Sequence, residues 1–141
     1  MSTQRPRNDS PGLPTLFIDR SVGGKLVPNG LRDLGLDVVT LSEHYGVKQG
    51  ETIEDVEWLL EAGRQGWAVL KADARIRHRP AERAALIEAK AQAFLLGGQL
   101  SAAQQVARIE ANLDAMVNAC LTPGPWVYRI HQSRLQRLKL D

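Results

Sequence analysis

The chain is poor in the groups that build staples and soft-metal sites. Cys120 is its only cysteine in 141 residues, which excludes an internal disulfide framework. No Cys/Cys or Cys/His pair stands at ligand spacing, which argues against structural zinc. The three histidines, His44, His78 and His131, show no HxxxH-type spacing. No GxSxG elbow, P-loop or GxGxxG is present, so hydrolase, NTPase and dinucleotide readings lack their motifs. Aromatics are scarce, and Trp58 and Trp67 read as core residues rather than base-stacking platforms. No apolar run reaches about 18 residues and no signal-peptide pattern appears, so no membrane association and a cytoplasmic location are expected. Charge of one sign is also lacking. A net charge of +2 permits nucleic-acid binding without demanding it. No repeat of 20–50 residues recurs, which removes solenoids.

What is present is a soluble-type composition, 43% hydrophobic and 24% charged, and a length suited to one domain. Residues 1–14 are polar and rich in Pro, Ser, Arg and Asn, the pattern of a disordered leader. The domain is expected over 15–133, followed by a basic tail over 134–141. Within the domain, strand 1 is predicted at Thr15–Asp19 and a helical pattern follows through Leu26, Val27, Leu31 and Leu34 to a Gly35 cap. Pro28 and Asn29 suggest a kink or break there. Strand 2 is predicted at Asp37–Leu41, then a polar loop. An amphipathic helix opens at Thr52, its candidate N-cap, with Asp55 in a capping-box-like position, and ends at Gly66. Strand 3 is AVLK, and a helix starts after Pro80. Strand 4 is predicted within Ala91–Gly98, one long helix over Ser101–Cys120, and strand 5 over Trp126–His131. Strands alternating with helices imply a three-layer α/β/α sandwich with a mainly parallel sheet of four to five strands. The expected strand order is 2-1-3-4-5.

Two carboxylates stand where ligands gather in open α/β sheets, just beyond apolar strands. Asp19 follows Leu16, Phe17 and Ile18 and precedes Arg20, Ser21 and a Gly23–Gly24 pair, and Asp73 follows strand 3. The plain alternatives are a helix cap for Asp19 and an Asx-type turn for Asp73. Asp55 is a third candidate, although a first-turn acid often serves only the helix dipole. Glu54 could replace it. Glu43, after strand 2, is a less certain fourth, with a surface-loop role as its alternative. Clustered carboxylates repel one another and need a cation, and neutralising one is expected to stabilise the metal-free protein. Mg²⁺ or Mn²⁺ takes such oxygen ligands and can activate a water towards a phosphodiester. Arg20, Lys71, Arg75, Arg77 and Arg79 would hold the polyanion, with a solvated basic loop as the alternative.

On these residues the chain resembles the PIN-like nuclease superfamily, in the branch of VapC45-like toxin PIN domains, DUF5615 proteins and Mut7-C ribonuclease domains. The stretches that carry the likeness are LFIDRSVGGKLVPNGLRDLGLDVVTLSEHYG and IEDVEWLLEAGRQGWAVLKADARIR. It is continuous over about 16–77 and looser over 91–130. The resemblance implies that Asp19, Asp55 and Asp73 bind Mg²⁺ or Mn²⁺ and that the chain cuts RNA as the toxin of a toxin–antitoxin pair, held in check by a cognate antitoxin protein. It also departs from the family, because the place of a fourth acid reads LLGGQLS. The apolar face of the Ser101–Cys120 helix suits core packing, with a second docking surface for the partner or a homodimer contact as alternatives. Two rivals stand beside the nuclease. One is a PIN-like module that binds RNA or a partner without cutting. The other is a receiver-type phosphoacceptor, disfavoured because Arg20 stands where a second acid would be.

Overall fold

The computed structural model describes residues 13–22, 24–72 and 78–140. Most of the expected leader, Gly23 of the glycine pair, and Asp73, Arg75 and Arg77 lie outside the described residues. A six-stranded sheet has the order β2-β1-β3-β4-β5-β6, formed by β1 (Leu16–Ile18), β2 (Val38–Thr40), β3 (Ala68–Lys71), β4 (Gln92–Leu95), β5 (Trp126–Ile130) and β6 (Leu135–Leu138). The first five strands are parallel in the expected order, and β6 pairs antiparallel with β5.

Strict alternation along these short strands sends side chains to two cores. Leu16, Ile18, Leu70, Phe94 and Trp126 pack beneath α1 (Leu26–Asp33), α6 (Ala102–Ala111) and α7 (Leu113–Cys120). Phe17, Val69, Ala93, Leu95 and Val127 pack beneath α4 (Asp55–Gln65) and α5 (Pro80–Glu88). The result is the expected α/β/α sandwich. Among the described residues, no helix is long and apolar enough to cross a membrane.

Several elements differ from the sequence reading, each for a local reason. Among the described residues the sheet has six strands, not four to five. The segment read as a basic tail places Leu135 on one core and Leu138 on the other, leaving Gln136 and Arg137 exposed on an edge. Pro28 breaks nothing, because it lies in the first turn of α1, where a backbone N–H has no intrahelical partner. The polar loop after β2 is two short helices, α2 (Leu41–Tyr45) and α3 (Val47–Thr52). They meet at Gly50, where a Cβ would fall 2.9 Å from the Ser42 backbone. Thr52 therefore closes α3 instead of capping α4, whose N-cap is Glu54 and whose first residue is Asp55. The long C-terminal helix divides at buried Asn112, whose side-chain amide donates to the carbonyls of Arg108 (2.8 Å) and His131 (2.9 Å).

Candidate functional site

The register that fills the α4-side core also builds the site. Ile18 pairs with Leu70 in the parallel β1–β3 ladder. One residue further, Asp19 and Lys71 follow Phe17 and Val69 on the same face. The Asp19 amide donates to the Leu70 carbonyl (3.0 Å), so the ladder extends to the carboxylate's own backbone. Asp19 is only 3% exposed and Lys71 only 2%. Their charges are thus buried at the carboxyl end of adjacent parallel strands, at the position where the strand order reverses direction.

Asp19 Oδ2 accepts from the Ser21 N–H (3.0 Å) and lies 3.7 Å from Lys71 Nζ. Asp19 Oδ1 is buried without a hydrogen-bond partner. A buried carboxylate oxygen normally finds one. Asp55 enters from the N-terminus of α4. Its Oδ1 accepts from Trp58 Nε1–H (2.9 Å), and its Oδ2 lies 3.5 Å from Lys71 Nζ. The Lys71 ammonium therefore sits between two carboxylates and 5.2 Å from the centre of the Trp58 ring. Trp58 is core, as expected, and it also aims Asp55.

Arg20 and Arg79 flank the pair. Arg20 lies 3.7 Å from Asp55 Oδ1 and donates to the carbonyls of Gly50 (3.1 Å) and Ile53 (2.8 Å). It thereby ties the end of α3 to the strand that carries Asp19 and sets the entry of the chain into α4. Arg79, the N-cap of α5, lies 4.0 Å from Asp55 Oδ2 and 3.5 Å from Glu82 Oε2.

Glu82 is the residue that sequence reasoning missed. It stands in the first turn of α5, and its Oε1 is buried without a partner. Burial raises its carboxyl above the ordinary value and the Asp55 charge adds to the rise, while Arg79 and Lys71 oppose it. Glu82 therefore shares the field of the Asp55–Lys71–Arg79 group. Its only trace in the sequence is an acid three residues after Arg79, at the start of the helix that Pro80 opens.

Glu43 lies elsewhere on the rim and is occupied. With Thr40 it forms a capping box at the start of α2, and its two oxygens take Arg32 Nη2 at 2.7 and 2.9 Å. Burial works to raise its carboxyl, but the Thr40 amide and the Arg32 contact outweigh that and hold it below its usual value. Glu43 and Asp19 line one cavity of about 650 Å³, together with Arg20, Lys25, Arg32 and Val47.

The donor set suits a hard divalent cation: carboxylate oxygens, one of them buried and unengaged, with no soft ligand nearby. Among the described residues, no group of three or more His, Cys, Asp or Glu side chains is arranged to hold an ion. Asp19 and Asp55 come together, Glu43 is held by Arg32, and Asp73 lies outside the described residues.

A family model described as "PIN like domain" matches residues 14–98. A Mycobacterium tuberculosis protein named "Putative ribonuclease VapC45" is 35% identical over 136 residues, covering 96% of this chain and 99% of the relative. No solved structure matches significantly.

Proposed function

Since the chain belongs to the PIN-like domain family, we propose that it is a metal-dependent endoribonuclease and the toxin of a toxin–antitoxin pair. The observation that carries this reading is the convergence of Asp19 and Asp55 at the carboxyl end of β1 and β3, with Asp19 Oδ1 buried and unengaged. The near full-length likeness to a relative named as a ribonuclease supports it.

In this reading Asp19, Asp55 and Asp73 hold Mg²⁺ or Mn²⁺, which supplies an activated water and stabilises charge on the phosphate. The chain's own residues prepare the pocket. Ser21 N–H and Trp58 Nε1–H each hold one carboxylate oxygen and fix its orientation. Lys71 stands between the two acids and offsets their mutual repulsion. Arg20 and Arg79, both partly exposed, stand beside the acids where a phosphate backbone would pass, and Arg75 and Arg77 precede Arg79 in the sequence as further candidates for phosphate contact.

Purified protein incubated with total cellular RNA, with Mn²⁺ and with chelator, tests the activity: cleavage only with the metal supports it, and intact RNA in both sinks it. The partners follow from the same reading, as RNA substrate, an antitoxin protein and a cytoplasmic setting. Expression alone should arrest growth and co-expression with the genetic neighbour should relieve it. A module that binds RNA without cutting is the second reading, favoured by the Lys71 ammonium standing between the two carboxylates.

A further inference from the structure

We infer that Arg129 is a phosphate-binding residue of this site, holding the RNA strand on the β4–β5 side of the acids. The inference deepens the nuclease reading above and rests on it. Lys71 pairs with Leu95 in the β3–β4 ladder, and Leu95 pairs with Arg129 in the β4–β5 ladder. Two residues before Arg129, Val127 packs in the core beneath α4 and α5. Alternation therefore sets Arg129 in one row with Asp19 and Lys71, on the same face of the sheet.

The guanidinium leans along this row towards the acids. A Cβ added to Gly97, just beyond β4, would fall 2.9 Å from Arg129 Nη2, and β4 lies between β5 and β3. Gly97 has φ +82°, a left-handed conformation that side chains resist. The glycine thus supplies both the turn and the slot in which the guanidinium lies. Here a cation covers the backbone of the segment LLGGQLS, which lacks a fourth acid. Arg129 is half-buried, and among the described residues its side chain has no hydrogen bond or ion pair. A guanidinium carries five N–H donors in a planar fork, and leaving them unused in a partly dehydrated slot is unfavourable. A phosphate matches that fork through two parallel hydrogen bonds. Arg20 stands on the β1 side of the acids and Arg129 in β5, three strand spacings or roughly 14 Å across. An RNA strand crossing the rim is therefore held on both sides of the phosphate being cut.

Fluorescence anisotropy of labelled oligouridylate over a series of salt concentrations, with Ca²⁺ replacing Mn²⁺ to slow cleavage, tests this. Arg129→Gln should bind about tenfold more weakly at low salt. Its slope of log affinity against log salt should be shallower by about 0.7, the value of one lost phosphate contact on a single strand. Exposed Lys90 lies at the opposite end of the strands, between α5 and β4. Lys90→Gln removes the same charge there and should keep the wild-type slope. An unchanged slope in Arg129→Gln, or an equal fall in Lys90→Gln, would overturn the inference. So would a lower melting temperature for Arg129→Gln with its RNA affinity intact, the mark of a packing role. Should that variant not fold, Arg129→Lys replaces it. Its charge should keep the slope while loss of the planar fork lowers affinity, and affinity equal to wild type would overturn the inference. Cleavage by wild type beside an unaffected Arg129→Gln would leave the nuclease reading standing without this residue. Wild type that binds no oligouridylate would instead overturn RNA as the substrate, and this inference with it.

Discussion

The two faces of the sheet come from the same strands, yet among the described residues one of them carries buried charge to its end and the other does not. Beneath α1, α6 and α7 the side chains are those of Leu16, Ile18, Leu70, Phe94 and Trp126, and among the described residues this core is apolar apart from buried Gln105 and Asn112. Beneath α4 and α5 the same alternation runs through Phe17 and Val69 and then delivers Asp19 and Lys71. The difference teaches how the site is made rigid. Its charges are the next residues in a packed register, and the core below them fixes their spacing.

The largest effect should come from the apolar face. Trp126 is 1% exposed, packs on Phe94, and donates from Nε1 to the Thr122 carbonyl. Trp126→Ala should cost about 3–5 kcal/mol in denaturant unfolding. RNA cleavage per folded molecule should be unchanged, and a specific loss of cleavage would break the division between the faces.

On the charged face, Asp19→Asn should lower cleavage by at least about a hundredfold, the scale seen when a group that stabilises transition-state charge is removed. Stability should move opposite to the expectation from carboxylate repulsion alone. Lys71 already balances the acids, so neutralising Asp19 leaves a buried ammonium short of one partner and should cost up to about 3 kcal/mol. A higher melting temperature for Asp19→Asn would show that repulsion dominates.

Glu43 sharpens the contrast within the rim itself. Glu43→Gln should cost about 1 kcal/mol or less through the weakened capping box and lost Arg32 pair. It should leave Mn²⁺ affinity intact, and a clear loss of that affinity would return Glu43 to the metal site.

The smallest effect concerns pH, at Glu61, a mostly buried carboxylate of α4 that pairs with His44 of α2. Hydrogen bonds from Gln65 and His44, helped by Arg64 and opposed by burial, lower the Glu61 carboxyl to about 2. A carboxyl depressed in the folded state contributes stability above its unfolded value, and that contribution is lost as pH falls towards 2. Wild type should therefore lose more stability than Glu61→Gln between about pH 4.5 and 2. Parallel acid-unfolding curves would remove Glu61 from the account.

The parallel order and the strand ends were legible because apolar runs followed by a carboxylate mark where a strand stops. The strand order implied that Asp19 and Asp73 would meet, and Asp73 lies outside the described residues; Asp55 joins Asp19 beside Lys71 from the start of α4. Other parts depended on pairing that composition conceals. Lys71 reads as one more basic residue near a basic loop, and only the register shows it turned into the interior. Glu82 is separated from Asp55 by 26 intervening residues, and nothing local marks its approach. Thr52 and Asp55 fit a capping pattern, but α3 claims Thr52 first. Asn112 stands in an unbroken helical pattern, and its hydrogen bond to His131, a residue far along the chain, divides it.

The sixth strand has a consequence for how copies of this chain could meet. The sheet ends at β6 with Arg137 exposed and Arg134 and Lys139 to either side in the chain, and the opposite border, β2, is three residues long. A second molecule approaching strand to strand along β6 would set like charges against one another, a common protection of sheet borders against templated growth. The border that closes this sheet therefore also discourages its continuation into a neighbour. Self-association through a helical face would leave the ladder with its six strands.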